Sequence, residues 1–426
     1  MTRYDVVVYG ATGYTGAYIV GRLATDQLCK GTNFAVAGRN ESKIKKTLAE
    51  VSKRTGANLS KVPIIIADNS DEASLVNMAK QANLIINAVG PYRLYGEAVV
   101  RAAVENGANH IDISGEPAFL EQMALKYGEE AKKKGLYVVG ACGWDSIPCD
   151  LGVRFLKKNF HGDLSYIESY VQTVHGPAGY AINNGTYQTL VLGIANMAKD
   201  KLGPLRKQLM PERITKPAQK PPAKGKMFSI NEKELDGWAV PFMGSDKAIV
   251  NRSQYYDATV RGERPVHIET YFRIGTMIWA VMLFMWLSVF AILAQFAPTR
   301  KFLQDYPDLC SFNMFKKDGP TEEQVKQSSF NYWLFGYGYD STKPVNEQHE
   351  GKPNRRVVAV CHGPDAGYSG TSACVVGAAM TILKNKDGLP KNGGVFTTAA
   401  CFSDSKIFEY LEQLGVTYKI VSESSI

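Results

Sequence analysis

Tyr4-Asp-Val-Val-Val-Tyr9 runs without a break into Gly10-Ala-Thr-Gly13-Tyr-Thr-Gly16. The first six residues read as a buried strand, and helical spacing follows from residue 14 to 28. Between them, glycines at positions 1, 4 and 7 permit a tight turn, close approach of backbone to a pyrophosphate, and close packing of helix on strand. The new helix points N–H donors and a partial positive charge at the turn. A bare glycine pattern is weak, and a merely structural turn is the alternative. Here it lies at the junction of a strand and a helix, the context a dinucleotide site requires.

Outward from that turn the alternation continues. Residues 34–37, 62–67, 84–88, 110–113 and 137–139 read as further strands, and 42–54, 72–80, 97–106 and 117–134 as helices. Six strands alternating with five helices predict an α/β fold whose N-terminal part is a Rossmann-like, doubly wound parallel sheet over residues 1–150. Beyond that point the alternation stops. Strand character at 166–175, a helix at 186–199, a Pro- and Lys-rich loop at 202–229 and an uncharged apolar run at 274–296 predict a second α+β domain over 151–354. Residues 302–354 read as irregular and aromatic. Residues 355–426 are expected to complete the second domain and pack back on the first, with a small-residue helix at 369–384.

The chain has 426 residues, 45% hydrophobic and 21% charged, a composition that excludes a disordered or fibrous protein. Its net charge of +8 is spread out except near Lys216–Lys226, so nucleic acid is not indicated as a partner. Seven scattered cysteines without a C-x-x-C pair predict a reducing compartment and no disulfide framework. The six histidines lack ligand spacing, so no metal is expected. The first strand begins at residue 4, which leaves no room for a secretory signal.

Gly10, Thr12, Gly13, Tyr14, Thr15 and Gly16 are the expected phosphate-binding residues. The second strand ends in Ala37-Gly38-Arg39-Asn40, with an arginine where a site for NAD(H) normally carries an acid. This predicts NADP(H) in preference to NAD(H), Arg39 meeting the 2′-phosphate. Arg39 as a solvated residue and Asn40 as a helix cap is the alternative. Asp68 is expected either at the adenine or as a turn residue. Asn87, Gly90 and Pro91, after the fourth strand, are expected beside the nicotinamide-side ribose.

Read together, GATGYTG, Ala37-Gly-Arg39, Asn87-Ala-Val-Gly-Pro-Tyr92, Asp112-Ile-Ser-Gly-Glu116 and Gly143-Trp-Asp-Ser-Ile-Pro-Cys-Asp150 resemble the saccharopine dehydrogenase-like oxidoreductases. The resemblance implies a nicotinamide-dependent reductase connected with lipids, since bacterial relatives include trans-acting enoyl reductases and animal members carry the long apolar segment. Hydride transfer needs orientation and one proton donor. Tyr92, Asp112 and Asp145 are the candidate catalytic residues, with Ser114, Glu116 and Ser146 nearby; packing and capping roles are the alternative for each. Tyr339 and Lys343 have Y-x-x-x-K spacing, but Pro344 disfavours helix at Lys343.

Three functions compete: a reductase of a lipid-like or bulky apolar substrate, a saccharopine reductase of lysine metabolism, and a non-enzymatic nucleotide-binding scaffold on lipid droplets. Residues 274–296 would make a helix of about 35 Å, long enough to span a bilayer. Spanning would strand the C-terminal strands on the far side. Arg273, Arg300, Lys301 and the aromatics Phe330, Tyr332, Trp333, Phe335, Tyr337 and Tyr339 suggest instead a helix held on the cytosolic face of a membrane or on a lipid droplet. A buried core or homodimer-interface helix is the remaining alternative.

Overall fold

The computed structural model describes residues 3–426. Apolar runs such as Val6-Val7-Val8, with no exposed surface, form strands covered on both faces. These strands are β1 (Tyr4–Tyr9), β2 (Phe34–Gly38), β3 (Ile64–Ile66), β4 (Ala82–Asn87), β5 (Asn109–Asp112) and β6 (Tyr137–Val139). They alternate with α1 (Tyr14–Thr25), α2 (Glu41–Thr55), α3 (Glu72–Lys80), α4 (Tyr92–Glu105) and α5 (Pro117–Lys134). The sheet is parallel in the order β3-β2-β1-β4-β5-β6, the doubly wound arrangement expected. Register brings Ala37, Tyr9, Asn87 and Asp112 into one row at the carboxyl edge, which fixes where the following loops emerge.

A seventh parallel strand, Gly394–Phe396, adds beside β6. It belongs to a long C-terminal segment, Asp365–Val416, that joins residues up to Ile147 and the helix Leu202–Leu209 in one compact unit. Residues 355–426 therefore divide, because the strands Arg355–Pro364 and Thr417–Ser425 pair with each other in the second unit. Part of the Pro- and Lys-rich loop is that helix, whose Arg206 pairs with buried Glu121 of α5 at 2.9 Å.

The second unit is a mixed seven-stranded sheet. Within it the strand Ser329–Tyr339 lies between Arg355–Pro364 and the central strand Asp163–Val174, antiparallel to both. This corrects the reading of 302–354 as irregular and of its aromatics as an interface. Phe330, Tyr332 and Phe335 are core residues without exposed surface. Tyr339 ends the strand, and its hydroxyl donates to the Gly351 carbonyl at 3.0 Å.

The apolar run forms a helix, Met277–Gln295, with mean hydropathy 2.4 over its most apolar window, of which only 17% is buried. Phe290 and Ala294 pack on Tyr187, Val191 and Leu303, and Ala280 on Val240 and Ile274. One face is thus fixed to its own unit. Ile278, Trp279, Met285, Val289 and Ile292 face outward.

Candidate functional site

Gly10 adopts φ +89°, a left-handed conformation that glycine reaches without Cβ strain. Its N–H donates to the Ala37 carbonyl at 3.0 Å, and its carbonyl accepts from the Gly13 N–H at 2.9 Å, closing the turn. A Cβ on Gly16 would overlap the Gly10 carbonyl oxygen, so only glycine lets α1 start this close to β1. Gly13 is the extended N-cap of α1 and brings no side chain to it; the Ala17 N–H, donating to Gly13, is the first amide of the helix ladder. The first turn, with exposed Thr12 and Gly13 before it, is a backbone cradle for an anion.

Beside it, Thr12, Arg39, Asn40, Lys43 and Asp68 line a cleft of about 260 Å³. Asn40 caps α2, its Oδ1 accepting the Lys43 N–H at 2.9 Å, which anchors the turn that carries Lys43. Asp68 accepts from the N–H and hydroxyl of Ser70 at 2.9 and 2.8 Å, and these bonds hold its carboxyl below the usual range. Glu41 is paired with Lys45 at 2.6 Å. Two cations therefore face one carboxylate at the first turn of α2, a setting for a phosphate monoester. The sequence reading missed Lys43; its place three residues after the cap was the available signal.

At the ends of β4 and β5, Asn87, Tyr92 and Asp112 are buried. Asn87 is fully buried, its Oδ1 accepts the Val89 N–H at 3.0 Å, and its Nδ2 has no hydrogen-bond partner among the described residues. Gly90 and Pro91, joined by a cis peptide, lead into α4. The Tyr92 hydroxyl donates to the Asn87 carbonyl at 2.9 Å, and burial raises its pKa well above that of an ordinary phenol. Asp112 accepts from the N–H groups of Ser114 and Ala141 at 2.9 and 3.0 Å, and burial pushes its carboxyl up to about 7. Tyr92 and Asp112, expected as catalytic residues, are buried and hydrogen-bonded between neighbouring strands and loops. Glu116, also buried, accepts the N–H groups of Tyr92 and Arg93 at 2.7 and 3.1 Å and the Arg93 guanidinium at 3.1 Å.

Asp145 is different. It is half-buried, and its carboxylate rests where a Cβ on Gly115 would come within 2.7 Å. The adjacent Trp144 N–H donates to Thr371 Oγ at 3.2 Å. Thr371 ends a π-turn, Ala366–Gly370, whose Tyr368 ring lies 4.5 Å from that of Tyr14. The segment fastens both the phosphate loop and the Asp145 loop. The sequence reading expects residues 355–426 to pack back on the first domain but does not name these contacts.

The Saccharopine dehydrogenase NADP binding domain matches residues 6–139. Over its whole length the chain is similar to a Caenorhabditis elegans "Lipid droplet localized protein", 57% identical across 99% of both chains. The human "Saccharopine dehydrogenase-like oxidoreductase" is 38% identical across 99% of this chain and 98% of its own. Among solved structures, saccharopine dehydrogenase (L-Glu forming) from Saccharomyces cerevisiae superposes with a TM-score of 0.55 at 13% identity, covering 98% of this chain and all of that one.

Proposed function

We propose that this chain, which belongs to the saccharopine dehydrogenase-like oxidoreductases and carries their NADP-binding domain, is an NADPH-dependent reductase of a lipid-like or bulky apolar substrate at the surface of a lipid droplet. The observation that carries the cofactor side is the cleft with Arg39 and Lys43 at the first turn of α2. In this reading those two residues hold the 2′-phosphate. Gly10, Thr12, Gly13, Tyr14, Thr15 and Gly16 hold the pyrophosphate, and Asp68 flanks the adenosine. The orphaned Asn87 amide, with Gly90 and Pro91, takes the nicotinamide-side ribose. The cofactor, when bound, supplies the hydride. Asp145 stands at the edge as the catalytic candidate, while Tyr92 and Asp112 keep β4 and β5 in place.

The surface side is supported by the exposed apolar helix and by the name of the Caenorhabditis elegans relative. The test is calorimetry with NADPH and NADH, followed by NADPH consumption with enoyl and keto lipids in micelles, with saccharopine precursors, and with no substrate. Tighter NADPH binding and consumption only with the lipids is expected. Consumption with saccharopine precursors alone, or with nothing, overturns the lipid reductase.

A further inference from the structure

The apolar helix is followed by a turn that displays a phenylalanine at a conformational cost. Phe312 and Asn313 are consecutive non-glycine residues with φ +52° and +61°, and Phe312 is 84% exposed. Side chains rarely accept the left-handed region, and a strained position held by its surroundings points to use. Four bonds hold it: Asn313 N–H to Asp308 O at 2.8 Å, Met314 N–H to Ser311 O at 3.0 Å, Ser311 Oγ to Pro307 O at 2.7 Å, and Phe315 N–H to Ser311 Oγ at 2.8 Å. The Trp286 indole of the apolar helix donates to the Cys310 carbonyl at 2.8 Å, fixing turn to helix.

We infer that this turn is a wedge that inserts Phe312 among the acyl chains of a phospholipid monolayer; the inference rests on the surface reading above. The helix lies along its unit, since Phe290 and Ala294 tie it to Tyr187 and Leu303, so it presents a flank rather than an end. Leu309, Tyr306, Phe302 and Met314 extend the apolar flank past the helix to the turn. No acid occurs in residues 274–304, and the nearby charges, Arg300, Lys301, Lys316 and Lys317 against Asp305, Asp308 and Asp318, nearly balance. A near-neutral rim around aromatic and aliphatic side chains fits zwitterionic phosphatidylcholine.

The experiment is flotation of the full-length protein with triolein droplets coated with phosphatidylcholine, comparing the unaltered chain, Phe312→Gly and Phe312→Leu, with NADPH affinity measured alongside. Phe312→Gly relieves the left-handed strain, so it should melt no lower while its droplet affinity falls roughly tenfold. Phe312→Leu should keep most of the binding, and NADPH affinity should be unchanged in all three. Flotation of Phe312→Gly equal to the unaltered chain overturns the wedge, and so does self-association in lipid-free solution that this variant abolishes. Failure of the unaltered chain to float overturns the surface reading itself.

Discussion

Two 19-residue stretches of this chain, Met277–Gln295 and Ala366–Lys384, are long and apolar enough to cross a membrane, and they meet opposite fates. The first is 17% buried over its most apolar window and the second 83%. Size of side chain separates them more than hydropathy does. Gly, Ala, Ser, Cys and Val let the second stretch lie against α1 and β4, and a Cβ on Gly377 would already meet Leu411 at 3.1 Å. The first carries Trp, Phe, Met and Leu around most of its circumference, and no single neighbour can cover all of that. A hydropathy window measures both as the same object. Packing in the surrounding unit treats one as core and the other as surface.

The sharpest way to break this contrast is one charge in each helix. Ala378→Asp, at a position with no exposed surface, should lower stability in urea unfolding by about 4 kcal/mol or more. Ile278→Asp should stay within about 0.5 kcal/mol of the unaltered protein. Equal losses would mean that the exposed helix is a core helix after all.

The first unit shuts water away from ionisable groups as well, so its stability should carry a pH signature. Asp112, raised from 3.8 to about 7, loses stability for the fold as pH climbs from 4 to 7, because the unfolded carboxyl ionises first. His110 lies 3.8 Å from it, with neither ring nitrogen hydrogen-bonded among the described residues, and burial lowers its pKa from 6.5 to about 3. It acts the other way, adding stability as pH rises from 3 to 6.5. The two oppose each other in the unaltered chain. Asp112→Asn should expose a rise of a few kcal/mol towards pH 6.5, and His110→Leu a fall of similar size towards pH 7, read as unfolding free energy against pH. Flat profiles in both variants would show that the pair is hydrated.

Smaller effects belong to the cleft, where charges meet water. Arg39→Ala should weaken NADPH binding by roughly 1–3 kcal/mol and leave NADH nearly untouched, measured by calorimetry. Lys43→Ala should cost NADPH less, about 0.5–1 kcal/mol, because an exposed ammonium meets the phosphate as a point charge, without the two-pronged fork of the Arg39 guanidinium. An equal loss for NADH from either variant would move the 2′-phosphate elsewhere.

Much of the first sheet was legible from residues alone, since each strand and helix of a doubly wound unit carries its own local pattern. Helices α3 and α5 and strand β6 fall on the expected residues. The sequence reading starts helix α4 at residue 97, because the carboxylate that caps it belongs to Glu116, 24 residues downstream of Tyr92, and leaves no mark near its start. The return of Gly394–Phe396 to the first sheet was likewise hidden, because strand pairing across some 250 residues has no sequence period. The phosphate loop was readable from its glycines. The burial of Tyr92 and Asp112 was not, since burial and hydrogen-bond direction are properties of neighbours that sequence spacing does not reveal.

Glu116 has a further consequence. Helices α1 and α4 both begin at the carboxyl edge of the sheet, and either could attract a phosphate. The Glu116 carboxylate already lies on the first two amides of α4. The protein supplies its own resident anion to α4 and leaves the start of α1 for a guest. A dinucleotide then finds its pyrophosphate welcome at α1 and refused at α4, and its two ends are told apart before any base or ring is recognised.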